Sequence, residues 1–168
     1  MQSHVKKDQL KLRPATPDDE QLLFEIYAST RAEEMSLVPW TDEQRLAFLK
    51  MQFEAQQSHY AEKYPGANHD VILVDDKAVG RIYVARLEDE IRIVDLTLMP
   101  LDRGNGVGTY LLTQLISEAT TKARPLRIYV ETFNRSLKLF ERLGFSRIAE
   151  HGMHMLMEWM PMPAKLID

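Results

Sequence analysis

Apolar and polar residues alternate from Gln9 to Arg13, the period of a short strand. At Thr16-Pro17-Asp18-Asp19 the period changes: Thr16 reads as an N-cap, Pro17 takes the first helical position, and an acid follows three residues after the cap. Leu22, Leu23, Ile26 and Tyr27 then share one helical face. Thr41 to Gln44 has the Thr-x-x-Gln form of a capping box and opens a second helix. Its apolar positions Leu46, Leu49, Phe53 and Tyr60 keep helical spacing as far as Pro65-Gly66. The first third of the chain therefore reads as strand, helix, helix.

Residues 70 to 99 have the short period and the β-branched content of strands. Val71 to Val74, Val79 to Ala85 and Ile91 to Met99 are separated by polar turns, which predicts an antiparallel meander. Helical spacing returns at Val107, with Leu111, Leu115 and Ala119 on one face, flanked by Leu112 and Ile116, and lasts to Ala123. Leu126 to Glu131 reads as a strand and Asn134 to Leu143 as a helix stopped by Gly144. Ser146 to Ala149 and Met153 to Trp159 read as a closing hairpin. No repeat and no linker interrupts the pattern, so residues 1–168 read as one domain.

Composition changes this picture little. At 168 residues the chain can bury a core without staples. The net charge of −4, with basic residues scattered among acids, argues against a nucleic-acid partner. The absence of cysteine excludes disulfides, thiolate metal sites and a thiol nucleophile, and fits a reducing compartment. No stretch approaches the roughly 18 apolar residues of a membrane span, and residues 1–13 lack the apolar core of a signal peptide, so a cytoplasmic location without membrane contact is expected.

The informative stretch is the strand ending near Met99, then Pro100-Leu101-Asp102, then Arg103-Gly104-Asn105-Gly106-Val107-Gly108-Thr109 running into a helix. Such a turn presents backbone N–H groups at the positive end of a helix dipole, and glycines let a bulky anion approach. A phosphate or pyrophosphate is the natural ligand. A Walker turn would need Gly-Lys-Ser/Thr, but Gly108 is followed by Thr109. A dinucleotide-binding turn would follow its strand directly and place Gly or Ala where Thr109 stands. After Glu131, the acid that could imitate its ribose ligand, too little chain remains for a doubly wound sheet.

Arg103-x-x-Gly106-x-Gly108 resembles the Arg/Gln-x-x-Gly-x-Gly/Ala signature of the GNAT acetyltransferase superfamily. A second block, Asn134-Arg135-Ser136-Leu137-Lys138-Leu139-Phe140 through Gly144-Phe145, is similar to that superfamily's pattern after its fifth strand. The resemblance covers about residues 10 to 160; residues 30 to 65 match it only in being helical. It implies an α/β (α+β) fold: a mixed, centrally splayed sheet of six to seven strands with about four helices on both faces. It also implies an N-acetyltransferase that takes acetyl-CoA as cosubstrate and an amine as acceptor, as a monomer or homodimer. In that layout Leu98 and Met99 would offer backbone bonds to the pantetheine arm and Arg103 to Thr109 would hold the pyrophosphate, by way of Gly104, Asn105, Gly106, Val107 and Gly108. Asn134, with Ser136 and Phe140 in the same block, would lie along the arm's far side.

Acetyl transfer to an amine needs a base, because a Lys-type ammonium has a pKa of about 10.4. Glu90, Asp95 and Glu131 are the acids near the splay; Asp95 and Glu131 are the candidate catalytic pair. Asp95 is favoured because a charge inside the apolar run Ile91 to Leu98 must face a cleft or a partner. A structural ion pair with Arg92 or Arg86 accounts for it equally well, and Glu131 also suits a cap of the turn near Asn134. The superfamily's usual Tyr, thought to protonate the departing thiolate, is Phe140 here, which motivates an alternative: a CoA-binding sensor or scaffold without turnover. Glu33, Glu34, Trp40 and the Gln56 to Tyr60 face are candidates for the acceptor pocket, Trp40 serving equally as a core aromatic. His151 and His154 have no third ligand in sequence, so no metal is expected. Met153, Met155, Met157 and Trp159 alternate and read mainly as core, with a binding surface as the lesser reading.

Overall fold

The computed structural model describes residues 4–162. It contains one open, mixed, seven-stranded sheet of order β1-β2-β3-β4-β5-β7-β6, with five α-helices. The expected fold class is what the chain adopts. The residues group into two compact units. One holds the chain up to Tyr83 together with Asp95–Val107; the other holds Val84–Val94 and the chain from Gly108 onward.

In the first unit, β1 (Leu10–Pro14) pairs antiparallel with β2 (Asn68–Val74), from Leu10 opposite Val74 to Pro14 opposite Asp70. A short 3-10 turn over Pro17–Asp19 follows Thr16. Asp19 fixes it: its carboxylate accepts the Thr16 backbone N–H at 2.8 Å and both arms of the Arg13 guanidinium, each at 2.8 Å. The Arg13 hydrogen bonds, followed by the Thr16 amide, hold this carboxyl well below the usual carboxylate range. The helix itself, α1 (Glu20–Ser29), begins one turn later than the capping residues suggest. A single-turn helix, α2 (Ala32–Ser36), comes next and is absent from the sequence reading.

The capping box predicted at Thr41 forms: Gln44 N–H donates to Thr41 Oγ1 at 3.2 Å, and Thr41 N–H to Gln44 Oε1 at 2.9 Å. It opens α3 (Asp42–Lys63), a helix of 22 residues. Leu49 and Phe53 from α3 close a core with Leu23, Phe24, Ile26 and Tyr27 from α1, where Phe24 meets Phe53 edge-on at 5.7 Å. Leu46, expected on that face, is instead exposed.

β2 turns into β3 (Lys77–Arg86) through Asp75-Asp76, both at positive φ, a two-residue hairpin turn. The chain returns through Leu87 to Glu90 into β4 (Ile91–Leu98). Within the first unit β3 lies unusually close to the end of β4. A β-carbon on Gly80 would stand 2.2 Å from the Thr97 carbonyl oxygen, so this crossing requires glycine.

In the second unit, β4 pairs parallel with β5 (Leu126–Glu131), but only over Ile91–Ile93 and Leu126–Ile128. Beyond that register β5 continues to Glu131 paired to β7 (His154–Trp159) on its other side. β6 (Ser146–His151) completes the edge, with an irregularity between Arg147 and Ala149 that leaves Ile148 exposed. The helices here are α4 (Val107–Lys122), whose first residue belongs to the other unit, and α5 (Leu137–Arg142). Leu112, Ala119, Leu126 and Met157 are wholly buried. Among the described residues no helix is long and apolar enough to cross a membrane.

Candidate active site

Asp95 stands two residues beyond the last β4–β5 pair, and both of its carboxylate oxygens accept hydrogen bonds. Oδ2 accepts Arg81 Nε at 2.7 Å, and Oδ1 accepts the Thr97 hydroxyl at 2.8 Å. The partner is thus neither Arg92 nor Arg86 but a residue of β3. Arg81 is 1% exposed, which demands partners for its remaining donors. Two consecutive α3 residues supply them: Gln57 Oε1 at 3.0 Å and Gln56 Oε1 at 2.7 Å. Neutral amides complete the shell, so the single buried positive charge faces a single carboxylate.

Beside this cluster runs a file of rings. His69 stacks on Tyr83 at 4.5 Å, and Tyr83 meets Tyr60 edge-on at 5.6 Å. Burial pushes the His69 imidazole down to about 4, aided by the Arg81 guanidinium and opposed by Asp95 and Asp19. Its Nε2 is buried with no hydrogen-bond partner among the described residues. Burial, and then Asp95, push the Tyr60 hydroxyl well above its ordinary value.

After β4, Pro100–Asp102 form a 3-10 turn and the glycine-rich segment follows. Gly104 and Gly106 take φ of +82° and +84°, the left-handed region that side chains avoid. Val107 then opens α4, whose first-turn N–H groups have no intrahelical acceptor. Arg103 Nε donates to the Leu98 carbonyl at 3.1 Å, tying the turn to the strand end. Met99 follows β4 directly. Its N–H already donates to Val79 O at 2.8 Å and its carbonyl accepts from Asp102, while its side chain packs against the α1–α3 core. Its N–H is therefore taken, while the Leu98 and Met99 carbonyls, each accepting one such bond, keep a second lone pair.

In the second unit, Gly108 and Thr109 lie in the first turn of α4, with the Thr109 carbonyl accepting the Thr113 hydroxyl. Asn134 makes an Asx turn: its Oδ1 accepts the Ser136 N–H at 2.9 Å and the Ser136 hydroxyl at 2.8 Å. Residues 134 to 136 are thus a turn, and α5 starts at Leu137. Glu131 ends β5 half-buried, and its backbone carbonyl accepts the Asn134 N–H at 2.9 Å. Phe140 is 4% exposed and meets Phe145 edge-on at 5.3 Å, which makes it a core ring. Glu90, assigned above to the acids near the splay, belongs to a closed network: it accepts Arg92 Nε at 3.1 Å and Arg127 Nη1 at 2.7 Å, and Arg127 Nε reaches Glu158 at 2.7 Å.

The acceptor candidates are dispersed within the first unit. Glu33 and Glu34 lie on α2, Trp40 is partly exposed and edge-on to Phe48 at 5.1 Å, and Gln56 and Gln57 belong to the Arg81 shell. His151 and His154 sit opposite each other across β6 and β7, and among the described residues no three His, Cys, Asp or Glu gather as a metal site. Met157 is buried, whereas Met153 lies in the turn and is exposed. Arg81 and Thr97 were missed in the sequence, and Gln56 and Gln57 were singled out there only as part of an acceptor face. Arg81 carried the same signal that picked out Asp95, a charge inside an apolar run.

Solved structures of the same fold cover nearly the whole chain. The PaiA N-acetyltransferase of Thermoplasma acidophilum, in complex with coenzyme A, aligns over 90% of this chain and 98% of its own at 16% identity, with a TM-score of 0.68. A Corynebacterium glutamicum structure described as histone acetyltransferase HPA2 and related acetyltransferase aligns over 93% and 99% at 23% identity, TM-score 0.64. An acetyltransferase of Thermus thermophilus aligns over 94% and 99% at 19% identity, TM-score 0.64. At these identities the likeness speaks for the fold alone. No curated protein sequence matches. The family described as acetyltransferase (GNAT) domain matches residues 37–166, well over half of the chain, and takes in the glycine turn, Asp95 and the Asn134 block. The chain belongs to the GNAT acetyltransferase family.

Proposed function

We propose that the chain is an acetyl-CoA-dependent N-acetyltransferase that moves an acetyl group to a primary amine, of a small molecule or a protein, by direct attack. The observation that carries this is the Arg103 to Thr109 turn, with two glycines at left-handed φ leading into the positive end of a 16-residue helix. Bare backbone there fits a diphosphate. The coenzyme A held by the Thermoplasma acidophilum relative supports the same ligand for this family member. In this reading Arg103, Gly104, Asn105, Gly106, Val107, Gly108 and Thr109 bind the diphosphate, the Leu98 carbonyl takes an amide of the arm, and Asn134 offers its side-chain NH2. Ser136 holds Asn134 in place and Phe140 contributes packing only.

Acetyl-CoA supplies an acetyl thioester whose thiol, with a pKa of about 8.5, is a fair leaving group without a protein acid. Asp95 takes the amine proton, directly or through water, while Arg81 and Thr97 keep its carboxylate in one orientation. Glu131 is the second candidate base. Glu33, Glu34, Trp40 and the Gln56 to Tyr60 face are the proposed acceptor surface, and the enzyme works in the cytoplasm as a monomer or homodimer. The test is thiol release from acetyl-CoA over a panel of amines. Asp95→Asn is expected to lower kcat about 100-fold at unchanged CoA affinity; wild-type rates in that variant would remove Asp95 from the chemistry.

Phe140 favours a second reading, a CoA-binding module without turnover, since a buried ring stands where the family's acid would be. Phe140→Tyr decides. Under the enzymatic reading the rate changes less than about threefold; a gain above about tenfold means the natural chain is catalytically disabled.

A further inference from the structure

The chain's first described residues lie against the glycine turn. Val5 N–H donates to the Asn105 carbonyl at 2.9 Å. The His4 ring occupies the side of Gly106 from which a side chain would project: a β-carbon there would be 3.1 Å from His4 Cδ2. The next residues are pinned from the other direction. Lys6 N–H donates to Gln9 Oε1 at 2.7 Å, the Lys6 carbonyl accepts Gln9 N–H, and Gln9 Nε2 reaches Asp75 at 2.9 Å. The course of His4-Val5-Lys6-Lys7 is therefore fixed by hydrogen bonds at both ends.

We propose that this basic segment is part of the phosphate site, its His4 imidazole offering a ring N–H and its Lys6 and Lys7 ammonium groups adding positive charge to the coenzyme's phosphates. The inference rests on the acetyl-CoA reading above and adds residues outside both family motifs. Three observations carry it. The segment attaches through a carbonyl of the turn, so its anchor uses none of the N–H groups that an anion needs. It concentrates three basic side chains within four residues of a chain whose net charge is −4. Lys6 and Lys7 are exposed and make no ion pair among the described residues, whereas the turn's own cation, Arg103, has its Nε on the Leu98 carbonyl. A diphosphate with a further phosphate monoester needs more positive charge than Arg103 alone provides.

Calorimetric titration of the full chain with CoA, dephospho-CoA and pantetheine, at low and high salt, tests this. Lys6→Ala/Lys7→Ala is expected to weaken CoA about tenfold at low salt and to flatten the salt dependence, while leaving pantetheine affinity and Tm unchanged. His4→Ala should weaken CoA about threefold. Smaller losses for dephospho-CoA would assign the lysines to the phosphate monoester; equal losses would assign them to the diphosphate. CoA binding unchanged in both variants overturns the proposal, as does a loss shared equally by pantetheine, the mark of a merely structural tether. If the wild-type chain itself binds no CoA, the acetyl-CoA reading fails first and takes this one with it.

Discussion

Arg92 and Asp95 lie three residues apart on β4 and both are ion-paired, yet the two networks around them are built differently. Arg92 belongs to the stretch of β4 still in register with β5, where Glu90, Arg92, Arg127 and Glu158 alternate in charge, Glu90 buried and the other three partly exposed. Each cation there has a carboxylate to itself or shares one, so losing a member leaves water and a neighbour to compensate. Asp95 lies past the register, and its partner Arg81 is fully enclosed with one carboxylate and two neutral amides. The first network fastens strands. The second holds one carboxylate in one orientation, on the part of β4 beyond its pairing with β5.

Arg81→Ala should break this contrast most sharply. It removes the buried cation that joins a carboxylate and two Gln carbonyls, all partly exposed, and is expected to cost about 2–4 kcal/mol in urea denaturation, against about 1 kcal/mol for Arg92→Ala. Equal costs would mean that the two networks do not differ in kind. A smaller effect comes from pH. His69 sits in the field of Arg81 with its folded value near 4, below the ordinary 6.5, so the unfolded chain takes up the proton first. Stability is therefore full above about pH 6.5, falls between about 6.5 and 4 and levels off below, by at most about 3 kcal/mol. His69→Phe should erase that slope in a pH series of melting curves; its persistence would shift the sensor elsewhere. The smallest change is Glu158→Gln, which keeps a hydrogen-bond acceptor for Arg127 and should cost about 1 kcal/mol or less.

The sequence exposed what local chemistry governs. The Thr41 capping box, the Asp75-Asp76 turn and the run of glycines all formed where their residues stood, because each is decided within a few positions. α2 escaped notice because a five-residue helix with no side-chain cap has too little period to detect. α5 is shorter than its spacing suggested, since Asn134 and Ser136 bond each other's neighbourhood into a turn before the helix can begin. The partner of Asp95 was misjudged for a different reason: Arg92 and Arg86 are close in sequence, but the true partner is a cross-strand neighbour set by the β3–β4 register, which no local signal encodes. The same holds for Met99, whose amide is taken by Val79, and for the N-terminal contact at Gly106.

Gly80 contributes nothing to a ligand and offers no group to any reaction; what matters is the atom it lacks, beside Thr97. In a saturation library every replacement there would push the end of β4, and Asp95 with it, out of place. Position 80 would then score as intolerant as a true reactive residue. Fitness maps of this protein will flag silent spacers alongside chemistry, and separating them needs a ligand-binding readout rather than survival alone.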